Sequence, residues 1–219
     1  ISQQDASNIT LQQVQDKIQD FQGEIDQVPS MYSALKHNGQ PLYKLARQGI
    51  EIDRPARQIT IFDYQITDFR PGTNAKVDVE VHCSKGTYIR TLAEDLGAAL
   101  GCGAHVSALH RFRAGPFDEQ QAISLEELEK LREQGSVEQL DQLLKPVDTP
   151  VSNYPAVEFD QILAGFFQLG QEISSNKAFH QGQEGDIVRV FREGGTFLGI
   201  GTVTEDGKIA PKRLIVEDA

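Results

Sequence analysis

Lys85, Tyr88 and Arg90 fall within six residues of one another in the segment Cys-Ser-Lys-Gly-Thr-Tyr-Ile-Arg that ends at Arg90. The segment joins an alternating apolar stretch, Lys-Val-Asp-Val-Glu-Val-His-Cys, to a stretch with leucines at helical spacing, Leu92, Leu96 and Leu100. Two cations and a ring at such a corner have a definite chemistry. A guanidinium steadies a carboxylate or a phosphate, and an aromatic face stacks a base or covers an apolar one. If the chain is extended there, Tyr88 and Arg90 point to the same side. The same residues also admit a purely structural account, in which Tyr88 packs into the core and Arg90 pairs with Asp95.

Other chemistries have less behind them. Cys102 and His105 have the spacing of a metal-ligand pair, but no second pair accompanies them, and no metal is expected. The chain has no Gly-x-Ser-x-Gly turn, and Gly199-Ile-Gly201 lies between strand-like residues and opens no helix, so it is no phosphate loop. Glu94 and Asp95 follow Arg90 by about one turn and read as a solvated helix face; a hydrolase built on Asp95 and His110 is the remaining catalytic alternative.

The elements that must hold the corner can be read from periodicity. Leu11, Val14, Ile18 and Phe21 share a helix face, Thr10 and Gln13 make a capping box, and Gly23 is the expected stop. Pro29, Asn38-Gly39 and Pro41 make a loop ahead of a short helix over residues 42–48. Residues 57–69 and 76–83 are expected strands joined at Pro71-Gly72, and residues 91–100 a helix. A further strand is expected over residues 105–115. Ser124 and Glu127 cap an acidic helix. Prolines 146, 150 and 155 place a domain boundary at 150/151. Beyond it, a helix near residues 162–169 and strands over 186–191, 197–203 and 214–217 are expected, with turns at Gly194-Gly195 and Asp206-Gly207.

The chain has 219 residues and a net charge of −11, which by itself speaks against a nucleic-acid ligand. The charge is uneven, however. Residues 28–57 hold five cations against two acids, residues 81–115 four against two, and residues 118–150 three against nine. One basic face on an acidic body fits that distribution, as does ordinary solvated charge. No apolar run approaches the length of a membrane helix, and two cysteines suit a reducing, cytoplasmic setting.

Residues 83–97, continued by Gly-Cys-Gly-Ala-His-Val-Ser-Ala-Leu-His-Arg-Phe-Arg-Ala-Gly-Pro-Phe, resemble the tRNA pseudouridine synthases of the B type. So does the Pro-x-x-Tyr-Ser-Ala-x-Lys-x-x-Gly-x-x-x-Tyr segment that starts at Pro29. The likeness runs in order through nearly the whole chain. It implies an α/β (α+β) catalytic domain with a mixed or antiparallel sheet over residues 1–150, shortened at its N-terminal side, and a small PUA-like β-barrel over residues 151–219. It implies conversion of a uridine in the T-loop of tRNA, position 55, to pseudouridine, by base flipping, with no cofactor. The partner would be the tRNA T-arm, with no membrane, and the protein a monomer. Arg90 matches the arginine that pairs with the family's nucleophilic aspartate, Tyr88 the tyrosine that lines the base pocket, and Leu109 the apolar residue beneath the uracil. Lys36, Tyr43, Arg47 and Lys85 would contact the RNA. The aspartate itself belongs to a Gly-x-x-x-Leu-Asp-Pro-x-Ala-x-Gly segment that no residue here matches. With Ile1 first and Met31 the only methionine, the chain is expected to be the latter two-thirds of a longer protein that is inactive without the rest. The alternative is an RNA-binding protein that keeps the fold without the chemistry.

Overall fold

A computed structural model describes residues 4–135, 137–174 and 182–215. The chain divides into two compact units, Ile1–Leu109 and His110–Ala219.

The first unit is a three-stranded antiparallel sheet with two helices on one face. Helix α1, Leu11–Gln19, starts at Thr10, whose side chain and that of Gln13 cap each other's backbone N–H as expected. The helix ends earlier than Gly23 predicts. Gly23, with φ +82°, instead opens strand β1, Gly23–Gln27, which the sequence reading missed. A two-residue hairpin follows, β2 (Lys36–His37) against β3 (Gln40–Pro41). Its turn is Asn38-Gly39, with φ of 50° and 79°, the left-handed pair that lets two adjoining strands keep their twist. Pro41 then leads into α2, Leu42–Arg47.

The sheet order is β1, β4 (Arg57–Arg70), β5 (Lys76–Cys83). The core residues of β4 are Ile59, Ile61, Tyr64, Ile66 and Phe69, so the inward step is two residues, then three, then two, then three. Each three-residue step coincides with a register shift against β5, between Ile61 and Asp63 and between Ile66 and Asp68. The two bulges keep five apolar residues on one face of a strand that simple alternation would have turned over. Across from them stand Cys83, Val81, Val79 and Val77. Val14 and Ile18 of α1 and Leu92 and Leu96 of α3 (Ile89–Ala99) close the core.

The second unit begins with irregular chain. Residues 105–115 do not form the expected strand; only β6 (Arg113–Ala114) pairs, with β7 (Phe117–Asp118). A strand must saturate its N–H and C=O groups on a neighbour, and no described strand runs beside residues 105–112. Helix α4, Leu125–Gln134, carries the expected Ser124–Glu127 capping box, and α5 covers Val137–Asp141. A four-stranded mixed sheet completes the unit, in the order β11 (Ile209–Leu214), β10 (Thr196–Val203), β9 (Ile187–Arg192), β8 (Ala156–Phe159). Strand β8 runs parallel to β9, and the connection between them includes α6, Gln161–Gln168, capped by Asp160. The core is Val157, Phe159, Ala164, Phe167, Ile173, Val188, Val190, Leu198, Val203 and Ile209. Among the described residues the sheet stays open, extended only by an Ile173–Ile209 bridge, so the expected barrel closure is absent there. The last strand starts at Ile209 rather than Leu214: Ala-Pro-Lys-Arg hides it, and Pro211 is tolerated because β11 is an edge. Val216 and Glu217 of the expected strand lie outside the described residues.

Candidate functional site

The corner after β5 is built by hydrogen bonds that continue the ladder beyond its last pair. The Ser84 N–H donates to the Thr60 carbonyl at 2.8 Å, and the Thr60 N–H donates to Ser84 Oγ at 2.9 Å. Thr87 Oγ1 donates to the Ser84 carbonyl at 2.9 Å. Gly86, at φ +88°, turns the chain where a side chain would strain it. Lys85 and Gly86 project into solvent, and Tyr88 is half-buried.

Tyr88 is the N-cap of α3, with φ −95° and ψ 101°, and no side chain caps the helix. The helix begins at Ile89, two residues earlier than expected. Arg90 is therefore already helical, and the extended Tyr88–Arg90 arrangement drawn from the sequence does not form. Arg90 instead lies in the first turn, exposed, and makes no ion pair or hydrogen bond among the described residues. The Arg90–Asp95 pair of the structural account is also absent. Asp95 carries the mark of that absence: desolvation alone pushes its carboxyl up, with no cation pulling it back.

Gln27 is the residue that sequence reasoning missed. It ends β1 and is 3% exposed. Its Oε1 accepts from the Tyr88 N–H at 2.8 Å, and its Nε2 donates to the Tyr88 carbonyl at 3.1 Å. The signal available was weak: a glutamine two residues after Ile25, on the inward beat of a strand with only two inward residues. Next to Arg90, Thr91 is buried and its hydroxyl has no partner among the described residues; the same holds for Ser33.

The other expected residues sit elsewhere in the first unit. Lys36 is exposed in β2. Tyr43 and Arg47, one turn apart in α2, stack, with the guanidinium carbon 5.5 Å from the ring centre. Leu109 is 59% exposed in irregular chain. Thus Lys85, Tyr88 and Arg90 follow one another along the corner from the Gly86 turn into α3, Tyr43 and Arg47 form a second cluster preceded by Lys36, and Leu109 stands apart. His110, the candidate base of the hydrolase reading, pairs with Glu119 at 2.8 Å. Cys102 and Gly103 donate to the Gly97 carbonyl, so the Cys102-x-x-His105 stretch begins as the closing turn of α3.

Three family models cover the chain in succession. Residues 1–89 match the TruB family pseudouridylate synthase N-terminal domain. Residues 90–152 match the tRNA pseudouridylate synthase B C-terminal domain, and residues 155–215 match pseudouridine synthase II TruB, C-terminal. A tRNA pseudouridine synthase B of Saccharophagus degradans is 50% identical over 211 residues, covering 96% of this chain and 67% of that protein. One from Nitrosococcus oceani is 51% identical over 195 residues, covering 89% and 61%. Among solved structures, a Cbf5-Nop10-Gar1 complex matches with a TM-score of 0.70 at 23% identity, over 98% of this chain and 63% of that one. An H/ACA RNP bound to a substrate RNA containing 2'-deoxyuridine matches with a TM-score of 0.70 at 20% identity, over 98% and 64%. The chain thus spans about two thirds of the length of the relatives it matches. By three consecutive domain models and by relatives half identical along nearly all of its residues, the chain belongs to the TruB family of pseudouridylate synthases.

Proposed function

We propose that this chain forms the base pocket and RNA-binding surface of an enzyme that isomerises uridine 55 in the T-loop of tRNA to pseudouridine. The observation that carries the reading is Arg90, exposed and unpaired among the described residues in the first turn of α3, two residues after the half-buried Tyr88. A cation there works against the helix dipole, so local stability does not account for it. A carboxylate partner does.

The reaction breaks the bond from the ribose to N1 of the base and remakes it to C5, releasing the C5 hydrogen. The nucleophile must be an ionised carboxylate in a closed pocket, where burial alone would keep it protonated; an adjacent guanidinium reverses that. Arg90 is assigned this part. Tyr88 is assigned the wall against the flipped uracil, which recovers part of the stacking lost on flipping. Leu109 is assigned the apolar floor. Lys36, Tyr43, Arg47 and Lys85 are assigned RNA contacts. No residue here matches the family's Asp-bearing segment, so the nucleophile is assigned to a segment outside residues 1–219. No cofactor is called for.

We also keep a functional boundary at 150/151. Among the described residues the buried core of the second unit draws on none before Val157, which supports a PUA-like module over residues 151–219 that adds affinity rather than chemistry. A monomer acting in the cytoplasm on the T-arm of tRNA fits two free cysteines and described helices none of which is long and apolar enough to cross a membrane.

The assay is release of tritium from C5 of labelled uridine in tRNA. The 219-residue chain should release none, and supplying the Asp-bearing segment of a relative should restore release. In the restored enzyme, Arg90→Ala should lower kcat strongly with tRNA affinity near normal. Release by the 219-residue chain alone, or an Arg90→Ala enzyme with unchanged kcat, would overturn the assignment; tRNA binding without turnover after restoration would favour an RNA-binding protein that keeps only the fold.

A further inference from the structure

A buried glutamine that spends its whole side chain on one distant residue calls for a reason. The backbone of Gln27 is held by the sheet, opposite Arg57. Its side chain then acts as a one-residue strand for Tyr88, taking the N–H and giving to the C=O. The orientation of the amide is unambiguous, because a backbone N–H only donates and a carbonyl only accepts. The Tyr88 carbonyl also accepts from the Leu92 N–H at 3.0 Å, the first bond of α3. Gln27 therefore grips the peptide groups from which the helix starts.

A helix start designed for stability would carry its own cap. Serine, threonine, aspartate or asparagine at the N-cap, and an acid in the first turn, are the favoured choices. Here the N-cap is a tyrosine that caps nothing, and the first turn has no acid and one arginine. Both choices weaken the start locally, and an amide from 61 residues away restores its order.

We propose that Gln27 is a positioning residue for the isomerisation: by fixing both peptide groups of Tyr88 it sets the ring against the base and aims the first turn that carries Arg90. The proposal rests on the roles given to Tyr88 and Arg90 above. It places the effect of Gln27 on the chemical step and not on RNA affinity.

The test uses the complete enzyme, this chain with its Asp-bearing segment, and two substitutions. Gln27→Met keeps the size and removes both hydrogen bonds. Its single-turnover rate should fall by about tenfold to a hundredfold, the loss expected for a misplaced reacting group, with Kd for tRNA nearly unchanged. Gln27→Glu supplies an internal rescue. A neutral glutamic acid has a carbonyl and an O–H where the amide has its oxygen and nitrogen, so it remakes both bonds; the carboxylate remakes one and faces the Tyr88 carbonyl with charge. The rate of Gln27→Glu relative to wild type should therefore climb as pH falls. A Gln27→Met enzyme at the wild-type rate, a loss of affinity equal to the loss of rate, or a Gln27→Glu ratio flat with pH would each overturn the proposal. Should Gln27→Met fail to fold, the Gln27→Glu profile decides alone. A wild-type enzyme that forms no pseudouridine would instead bring down the reading of Tyr88 and Arg90, and this proposal with it.

Discussion

Gly97 and Gly165 are both mid-helix glycines, and they should respond to alanine with opposite signs. A Cβ on Gly97 would overlap Ala104 N and the Gly103 carbonyl carbon and stand 2.6 Å from Ala104 Cβ. Two of these obstacles are main chain, so no rotamer relieves them. The Gly97 carbonyl also accepts from Cys102 and Gly103 at 3.2 and 2.9 Å, and both bonds suffer if residues 102–104 retreat. Overpacking against backbone costs up to about 3 kcal/mol, and each strained hydrogen bond adds about 1 kcal/mol. The helix propensity of alanine returns about 1 kcal/mol. The net loss is up to about 4 kcal/mol, and at roughly 4–8 °C per kcal/mol for a unit of this size the melting of the first unit should fall by more than about 10 °C. Gly165 has open space where its Cβ would go. Gly165→Ala should keep the propensity term unopposed and stabilise the second unit by up to about 1 kcal/mol. Thermal and urea melts of the 219-residue chain measure both. A Gly97→Ala protein as stable as wild type would show that α3 and residues 103–104 are not locked by this contact. A Gly165→Ala protein less stable than wild type would refute the propensity argument.

Reversing Lys36 and Arg47 to Glu should weaken tRNA binding and flatten its salt dependence by about one unit of slope per lost phosphate contact, measured by titration at several salt concentrations. Asp148→Ala should cost about 2–3 kcal/mol in a urea melt, because Arg189, bonded to Asp148 at 2.7 Å with both side chains under a fifth exposed, loses its carboxylate and keeps only the Tyr154 carbonyl. Asp78→Ala should cost less than about 1 kcal/mol, although Arg70–Asp78 is shorter at 2.6 Å, because both its members are half exposed. Asp95→Asn should stabilise the chain at pH 7 and not at low pH: desolvation raises the folded-state value of Asp95, so its ionisation weakens the fold as pH rises through that value and is neutral below the ordinary 3.8, which pH-dependent melts would show.

Local rules made most of the elements legible. The capping boxes at Thr10 and Ser124, the Asn38-Gly39 turn and the alternation of Val77, Val79 and Val81 each carry their signal within a few residues, and each formed. What was illegible depended on partners. The strand expected over residues 105–115 has strand-like composition, but a strand exists only beside another. Strand β8 was missed because four residues supply too little pattern, and β11 because a proline interrupts it. The site divided in the same way. Lys85, Tyr88 and Arg90 are sequence neighbours and remain on the corner that leads into α3. Gln27 joins them only through hydrogen bonds across 61 residues, which no local pattern encodes.

The acidic charge of the chain and its proposed RNA ligand are reconciled by which cations are left without partners. Acids outnumber cations, 32 to 21, so a partner was available for every lysine and arginine. Lys17 takes Asp20, Arg70 takes Asp68 and Asp78, Lys130 takes Glu126 and Lys208 takes Asp206. Arg54 takes Glu51 and Arg189 takes Asp148. Lys36, Arg47, Lys85 and Arg90 take none among the described residues, nor do ten further described cations, Lys44 and Arg57 among them. An acid paired with any of these four would have to be displaced by an incoming phosphate and would repel it afterwards. Acids elsewhere do neither, because at physiological salt their field decays over about 8 Å. A net charge of −11 therefore limits nonspecific attraction to the body of the protein while leaving these four cations, like the other unpaired ones, able to release counterions from an RNA that docks on them. On that argument an acidic chain can still hold RNA, because binding depends on the local cations that no carboxylate occupies and not on the net charge.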